Sequence, residues 1–479
     1  MKNIILSFAL SASIFALFTS CDNRRETVWV MTTPEISWQA QSAKNIKWEK
    51  GDTRTVINLN NTLQTIDGFG TCFNELGWTS LSMLPDEDRL AIMNELFTPG
   101  YGANFTICRM PVGANDFSRN WYSYNETEGD FEMNNFSVSN DNETLIPFIK
   151  EAKKYNPSIR VWASPWSPPS WMKYNKHYAC AVSGTHLEEQ YRNDLAPERQ
   201  GAEGINMFIQ EEKYFKAYSL YFKRFVEAYK KEGIDIFMVM PQNEFNSCQN
   251  FPSCTWTASG INKFVGEYLG PEMKSIGVEV MFGTVERANT LLTDTILKDK
   301  LSSQYVKGVG FQWAGKGAVE KIHTDYPGLK IFQTEQECGN GKNDWEYCCY
   351  AWSLMKHYLS NGTNVYTYWN TSLEEGGVSR WGWRQNSLIT VDPKTKTYKY
   401  NYEYYLMKHF SHYVLPGAKR LEVTGEADDI LAFKNEDNSI VIVAHNGTKE
   451  DVLRRIKINE DVISIPLKPE SFNTVVVAL

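Results

Sequence analysis

From about residue 64 to residue 410, short apolar runs rich in β-branched residues alternate with helical stretches, and this alternation leaves few folds open to the chain. The predicted strands are Thr65–Phe69, Phe105–Met110, Ile159–Ser164, Ile234–Met240, Val278–Gly283, Gly308–Gln312, Leu329–Phe332 and Val365–Tyr368. Predicted helices between them include Pro85–Leu96, Glu143–Tyr155, Tyr214–Glu232, Ala258–Ile276 and Trp345–Leu359. Tyr214, Tyr218, Tyr221, Phe222 and Phe225 form one helical stripe, the pattern of core packing rather than of a binding face. Eight such units in roughly 350 residues match a (β/α)8 barrel with insertions. A doubly wound open sheet shares the alternation, but Gly68-Phe69-Gly70-Thr71 does not open a helix in the dinucleotide-binding pattern.

The text changes on either side of that region. Residues 26–63 and 413–479 carry short alternating runs, among them Val28-Trp29-Val30-Met31, Ile430–Phe433, Ser439–His445 and Val452–Ile458, separated by Asn- and Asp-rich turns. They read as one antiparallel β-sandwich built from both chain ends and packed on a barrel over 64–412. Residues 1–20 read as a signal peptide, with Lys2 as the basic head and Ile4–Leu17 as an apolar run too short to span a bilayer comfortably. Cys21 follows small residues in the manner of a bacterial lipoprotein box. The expectation is therefore an exported protein, periplasmic or on the cell surface, lipid-anchored at Cys21 to the outer or cell-surface membrane.

A net charge of −8 without a basic block argues against nucleic acid as a partner. The nine cysteines form no dense framework; Cys248 and Cys254 are close enough for a local bridge, and Cys338, Cys348 and Cys349 lack zinc spacing. No metal or other cofactor is expected. Trp166, Trp171, Trp256, Trp313, Trp369, Trp381 and Trp383 sit among loop residues, where flat apolar rings suit the apolar face of a sugar.

In a barrel the active site lies where the strands end, so the residues that follow each strand matter most. Asn74-Glu75 follows the first, the second ends at Arg109, and the third runs into Ser164-Pro165-Trp166. The fourth ends in Gln242-Asn243-Glu244, the sixth in Gln312-Trp313, the seventh in Gln333-Thr334-Glu335 and the eighth in Tyr368-Trp369. Carboxylates after strands four and seven thus share one face. Two such groups flanking a substrate are what glycoside cleavage needs, one to protonate the leaving oxygen and one to attack the anomeric carbon. Asn243 can offer an amide to a sugar hydroxyl, and Arg109 can hold a neighbouring carboxylate ionised. Glu337, two residues beyond Glu335, would face the same way on an extended segment, and spacing alone does not choose between them.

The sequence also resembles glycoside hydrolase family 30. The resemblance rests on Asp67-Gly68-Phe69-Gly70, on the run Arg109-Met110-Pro111-Val112-Gly113-Ala114-Asn115-Asp116-Phe117-Ser118, on Ala163 through Lys173, on Pro241-Gln242-Asn243-Glu244 and on Phe332-Gln333-Thr334-Glu335. It implies a (β/α)8 barrel with a side β-sandwich, Glu244 as acid/base and Glu335 as nucleophile. Glu75, Trp166, Asn243 and Trp369 match positions that line the terminal glucose subsite. Arg109 and Trp313 complete the expected substrate-binding set. Where many relatives carry His-Trp-Tyr or similar after the sixth strand, this chain has Gln312-Trp313-Ala314, which should change the hydrogen bonding there. The resulting expectation is a retaining β-glycoside hydrolase acting on β-1,6-glucan. The alternatives are a glucosylceramidase or exo-β-glucosidase and, from another class, a glycan-binding lipoprotein without catalysis.

Overall fold

The structure, a computed structural model, describes residues 27–478; the predicted leader over 1–20 and Cys21 lie outside the described residues. Eight parallel strands close into a barrel: β1 (Gly68–Cys72), β2 (Ile107–Pro111), β3 (Arg160–Ser164), β4 (Ile236–Val239), β5 (Glu279–Val285), β6 (Val306–Gln312), β7 (Lys330–Glu335) and β8 (Val365–Asn370). Neighbours in sequence are neighbours in space, and β8 closes on β1. The (β/α)8 barrel read from the alternation is therefore present, with its side sandwich.

The period of two along each strand explains the barrel's interior. Ile107, Trp162, Met238, Met240, Met281, Phe332 and Val365 fill it as one apolar cluster. Residues one step along each strand, such as Cys108, Val161, Ala163, Val239 and Ile331, turn outward into the helix-facing core. Two steps above Ile107, Trp162 and Phe332 stand Arg109, Ser164 and Thr334, which hydrogen-bond to one another and to Gln312 as a polar layer over the apolar one. Gly310 leaves room for that packing; a Cβ there would meet the Met240 side chain at 2.6 Å.

The helix Glu212–Lys231 carries the predicted aromatic stripe, with Tyr218, Tyr221, Phe222 and Phe225 buried and Tyr214 half-buried against the same core. The predicted first strand, Thr65–Phe69, begins too early. Thr65 ends a long strand, Thr55–Thr65, that belongs to the second sheet, and the Ile66 N–H is held by the Ala418 carbonyl. Both segments are apolar and extended, so composition does not mark the handover between them.

That second sheet has ten strands and is the β-sandwich. Thr27–Thr32 and Ser471–Val477 pair antiparallel, and Thr55–Thr65 runs between Lys419–Thr424 and Val452–Ile458. Its alternate residues serve two cores. Ile430, Ala432, Ile440, Ile442, Ile456, Ile463, Val475 and Val477 enclose a core of its own, whereas Leu431, Phe433, Val441, Val443 and Phe472 join the barrel's core. Burial on both faces is why these strands read as continuous apolar runs. Phe472 lies 5.0 Å from the Trp345 ring and 6.0 Å from that of Trp352, both on the helix Trp345–Ser360. Because sheet and barrel share this core, they should unfold together. Phe472→Ala should cost about 3–5 kcal/mol in a single urea transition; two separated transitions would contradict the shared core.

Candidate functional site at the barrel mouth

The site is built around Arg109, a fully buried guanidinium. Its Nη1 donates to Glu335 Oε2 (2.9 Å) and the Thr334 carbonyl (3.2 Å), its Nη2 to Asn243 Oδ1 (2.6 Å), and its Nε to Ser164 Oγ (3.2 Å). The guanidinium carbon lies 4.4 Å from the centre of the Trp166 ring and 5.3 Å from that of Trp369. Strands β2, β3, β4, β7 and β8 thus all converge on one cation.

Glu335 enters through an irregularity of register. Phe311 pairs with Gln333 but Gln312 pairs with Glu335, so Thr334 is an extra residue on β7 and Glu335 turns onto the mouth. Glu335 Oε1 accepts from Trp313 Nε1 at 3.0 Å. Glu244 follows β4 in a left-handed backbone conformation (φ 45°), with its N–H held by Thr284 Oγ1 at 2.9 Å. Trp313 shares that rare conformation (φ 48°), so two non-glycine residues of one site carry local backbone strain.

Gln312 joins the two carboxyls. Its Nε2 lies 3.2 Å from Glu244 Oε1 and 3.3 Å from Glu335 Oε2, and Thr334 Oγ1 fixes the amide by donating to its Oε1. Asn243 Oδ1 accepts from Arg109, Gln312 and Thr284, which leaves the Asn243 Nδ2 as the group offered outward.

The carboxyls differ electrostatically. Burial and the adjacent Glu335 charge push Glu244 up to about 7. Burial raises Glu335 too, but Arg109, Trp313 and Gln312 oppose that rise, so Glu335 is the member of the pair that ionises first. Burial also drives Asp116 well above the ordinary carboxylate range, with the Glu335 and Glu244 charges adding to the effect. Burial and the charge of Glu244 raise Glu286 to about 8.

These groups line a cavity of about 240 Å3. Asp116, Trp166, Asn243, Ser247, Phe251, Glu335 and Gln385 are its buried part, and Gln249, Arg287 and Trp383 stand with Glu244 and Trp313 around the rest. The volume lies below the ~300–1,000 Å3 usual for drug-sized ligands, in keeping with a single sugar ring.

The model of the glycosyl hydrolase family 30 TIM-barrel domain matches residues 66–194 and 197–414, and that of the family's β-sandwich domain matches residues 417–475. The chain belongs to glycoside hydrolase family 30. Among its relatives, putative glucosylceramidase 1 of Caenorhabditis elegans is 29% identical over 83% of this chain and 76% of its own length. The endo-1,6-β-D-glucanase of Neurospora crassa is 26% identical over 80% of this chain and 79% of its own. In fold, a solved endo-β1,6-glucanase superposes with a TM-score of 0.79 at 24% identity, covering 95% of this chain and 100% of that one. SrfJ from Salmonella typhimurium gives 0.81 at 22% identity, over 94% and 99% of the two chains.

Of the residues singled out in this family 30 sequence, Glu244, Glu335, Asn243, Trp166 and Trp313 line the cavity. Three do not. Arg109 lies beneath it with its donors already taken, so it orients Glu335 and Asn243 rather than meeting substrate. Glu75 is buried at the start of the helix Glu75–Leu81 and accepts from the Arg119 N–H and Nε, Asn140 and Thr144. Trp369 stacks behind Trp166, ring centres 5.0 Å apart. Glu337 is placed apart from Glu335: β7 ends at Glu335, so strand alternation no longer applies, and Glu337 turns to Lys316 and the Tyr350 hydroxyl.

Trp171, Trp256 and Trp381 prove to be loop packing, buried against Phe131, Phe208 and Trp121 respectively. Cys248 shares a thiol contact with Cys180 rather than Cys254, and every described cysteine is free. Trp383, one of the seven loop tryptophans, lines the cavity, whereas Asp116, Arg287 and Gln385 were not anticipated. For Asp116 the available signal was a carboxylate just past β2; the others sit in long loops where no strand spacing points to them.

The asymmetry of the carboxyl pair can be measured. In a carbon-13 carboxyl titration Glu244 should titrate near pH 7, and Glu335→Gln, by removing a negative neighbour, should lower that midpoint by on the order of one unit. An unmoved midpoint would mean that the two carboxyls do not sense each other.

Proposed function

We propose that this family 30 enzyme is a retaining β-glycoside hydrolase, with Glu335 as nucleophile and Glu244 as acid/base, and that its substrate is β-1,6-glucan. The observation that carries the mechanism is the Gln312 amide shared by both carboxyls. Both facing oxygens lie within reach of the one Nε2, at 3.2 and 3.3 Å, so they are at most about 6.5 Å apart. Retaining enzymes need about 5–5.5 Å, and inverting ones about 6.5–9.5 Å to admit a water between the groups. The geometry therefore favours direct attack.

In the first step a Glu335 oxygen bonds to the anomeric carbon while the bond to the leaving oxygen breaks. That oxygen takes the proton from Glu244. In the second, Glu244, now a carboxylate, removes a proton from water as the water oxygen bonds to the anomeric carbon and Glu335 departs. Arg109 and the Trp313 N–H keep Glu335 ionised for the first step. Burial keeps Glu244 protonated, and Asn243 Nδ2 and Asp116 face the ring's hydroxyls.

The choice of glucan is supported by the relative named as an endo-1,6-β-D-glucanase and by the polar lining, where Ser247, Gln249, Arg287 and Gln385 suit hydroxyls better than a lipid tail. Glucosylceramide remains the second reading, supported by the relatives named as glucosylceramidases.

The first test is product analysis on β-1,6-, β-1,3- and β-1,4-glucans, xylan and glucosylceramide. Oligosaccharides or glucose from β-1,6-glucan alone are expected, and turnover of glucosylceramide alone would reverse the substrate assignment. Glu244→Gln should cost about 10²–10⁴-fold in turnover of substrates with poor leaving groups, while Glu335→Gln should abolish it. Because the acid must hold its proton, kcat/KM should fall as pH rises through about 7. A profile flat to pH 9 would remove Glu244 from that role.

A further inference from the structure

Trp383 is 41% exposed, the most exposed of the three tryptophans that line the cavity. It sits on a small hairpin in the loop after β8, closed by a bridge between Val378 and Arg384 and turned at Gly382 (φ 86°). The Ser379 N–H donates to the Trp383 carbonyl at 2.7 Å, and the Trp383 N–H returns to Ser379 Oγ at 3.1 Å. Next along, Gln385 accepts from Asn370 Nδ2 at 2.8 Å, anchoring the hairpin to the end of β8. A large apolar ring is thus held at the mouth by backbone contacts while its indole N–H has no partner among the described residues.

Its position relative to the reacting groups is set by Phe251. That residue belongs to the segment that runs on from Glu244, and its ring meets Trp383 edge-on at 6.0 Å. Ser247 and Gln249, on the same segment, and Arg287, held by Glu203, border the same opening. Through Phe251, which also packs in the apolar cluster of Trp166 and Trp369, Trp383 reaches the segment that follows Glu244, at the exposed edge of the cavity. The cavity's volume of about 240 Å3 suits one ring, and Trp383 stands at its exposed edge.

Resting on the assignment of Glu244 as the acid, we propose that Trp383 is the platform of a leaving-group subsite. There a second pyranose stacks its apolar face on the indole while Arg287 and Gln249 take its hydroxyls. Apolar contact with a ring already held in place costs little ordering of the protein, and an amphipathic sugar satisfies both the indole and the polar rim. A lipid chain would satisfy only the first.

The test compares the wild-type enzyme, Trp383→Ala and Trp383→Phe on three substrates: β-glucosyl fluoride, which has no leaving-group ring; a β-1,6-linked gluco-oligosaccharide; and octyl β-glucoside. Trp383→Ala should lower kcat/KM on the oligosaccharide by about tenfold or more, leave the fluoride within about twofold and be largely rescued by Phe. Equal losses on fluoride and oligosaccharide would make Trp383 merely structural and overturn the platform, as would no loss on the oligosaccharide. A loss on octyl glucoside as large as that on the oligosaccharide would assign an apolar aglycone instead. If the wild-type enzyme cleaves the fluoride but not the oligosaccharide, the linkage assignment fails by itself. The platform is then decided by transfer from the fluoride to added glucose, which Trp383→Ala must lose. An enzyme inert on all three overturns both proposals.

Discussion

A guanidinium buried on the axis of a barrel is costly unless its charge and its donors are all matched, and Arg109 is matched completely. The matching groups come from separate strands: Ser164 from β3, Asn243 past β4, the Thr334 carbonyl and Glu335 from β7. Indoles from β3, the loop after it and β8 surround the cation. Removing any one partner leaves a buried charge short of compensation, so the cation binds the barrel's closure to the geometry of the site. It also sets the two carboxyls apart in protonation. Glu335 carries the compensating negative charge; Glu244, close by on the same Gln312 amide, is then the group that stays protonated.

The outer layers hold this centre still. The sheet built from both chain ends packs on the helix Tyr402–Ser411, where His409 sits between the Thr32 and Thr474 hydroxyls at 3.0 and 2.9 Å. From the same helix Glu403 accepts from Asn386 at 2.7 Å, and Asn386 lies in the loop after β8 beside Gln385. A continuous path of buried contacts thus runs from the side sandwich to the hairpin that carries Trp383. The sandwich contributes no residue to the cavity lining, yet it braces one of the loops that shape the mouth.

Much of this was legible in the sequence because it follows from local periodicity. The eight strands, the aromatic helix stripe and the placing of Glu244 and Glu335 past strands four and seven all come from spacing. What spacing could not reveal is which polar residues face inward from the strands and which face substrate. Arg109 and Glu75 were expected to meet substrate, yet neither lines the cavity, because both are engaged in hydrogen bonds to partners far away in sequence. Gln312 looked like a loss of a histidine; in space it is the group both carboxyls share. Glu337 looked equivalent to Glu335 only while the strand was assumed to continue. The seven loop tryptophans were alike in the sequence, and only tertiary packing divided them into three that line the cavity and four that do not.

The account turns on Glu335 forming a bond to the sugar. The most direct measurement is incubation with a 2-deoxy-2-fluoro-β-glucosyl fluoride, which slows release of the covalent intermediate, followed by peptic mapping and mass spectrometry. The account predicts a fluorosugar adduct on the peptide that contains Glu335, localised to that residue by fragmentation. An adduct on Glu337, or hydrolysis with inversion at the anomeric carbon and no adduct at all, would contradict it.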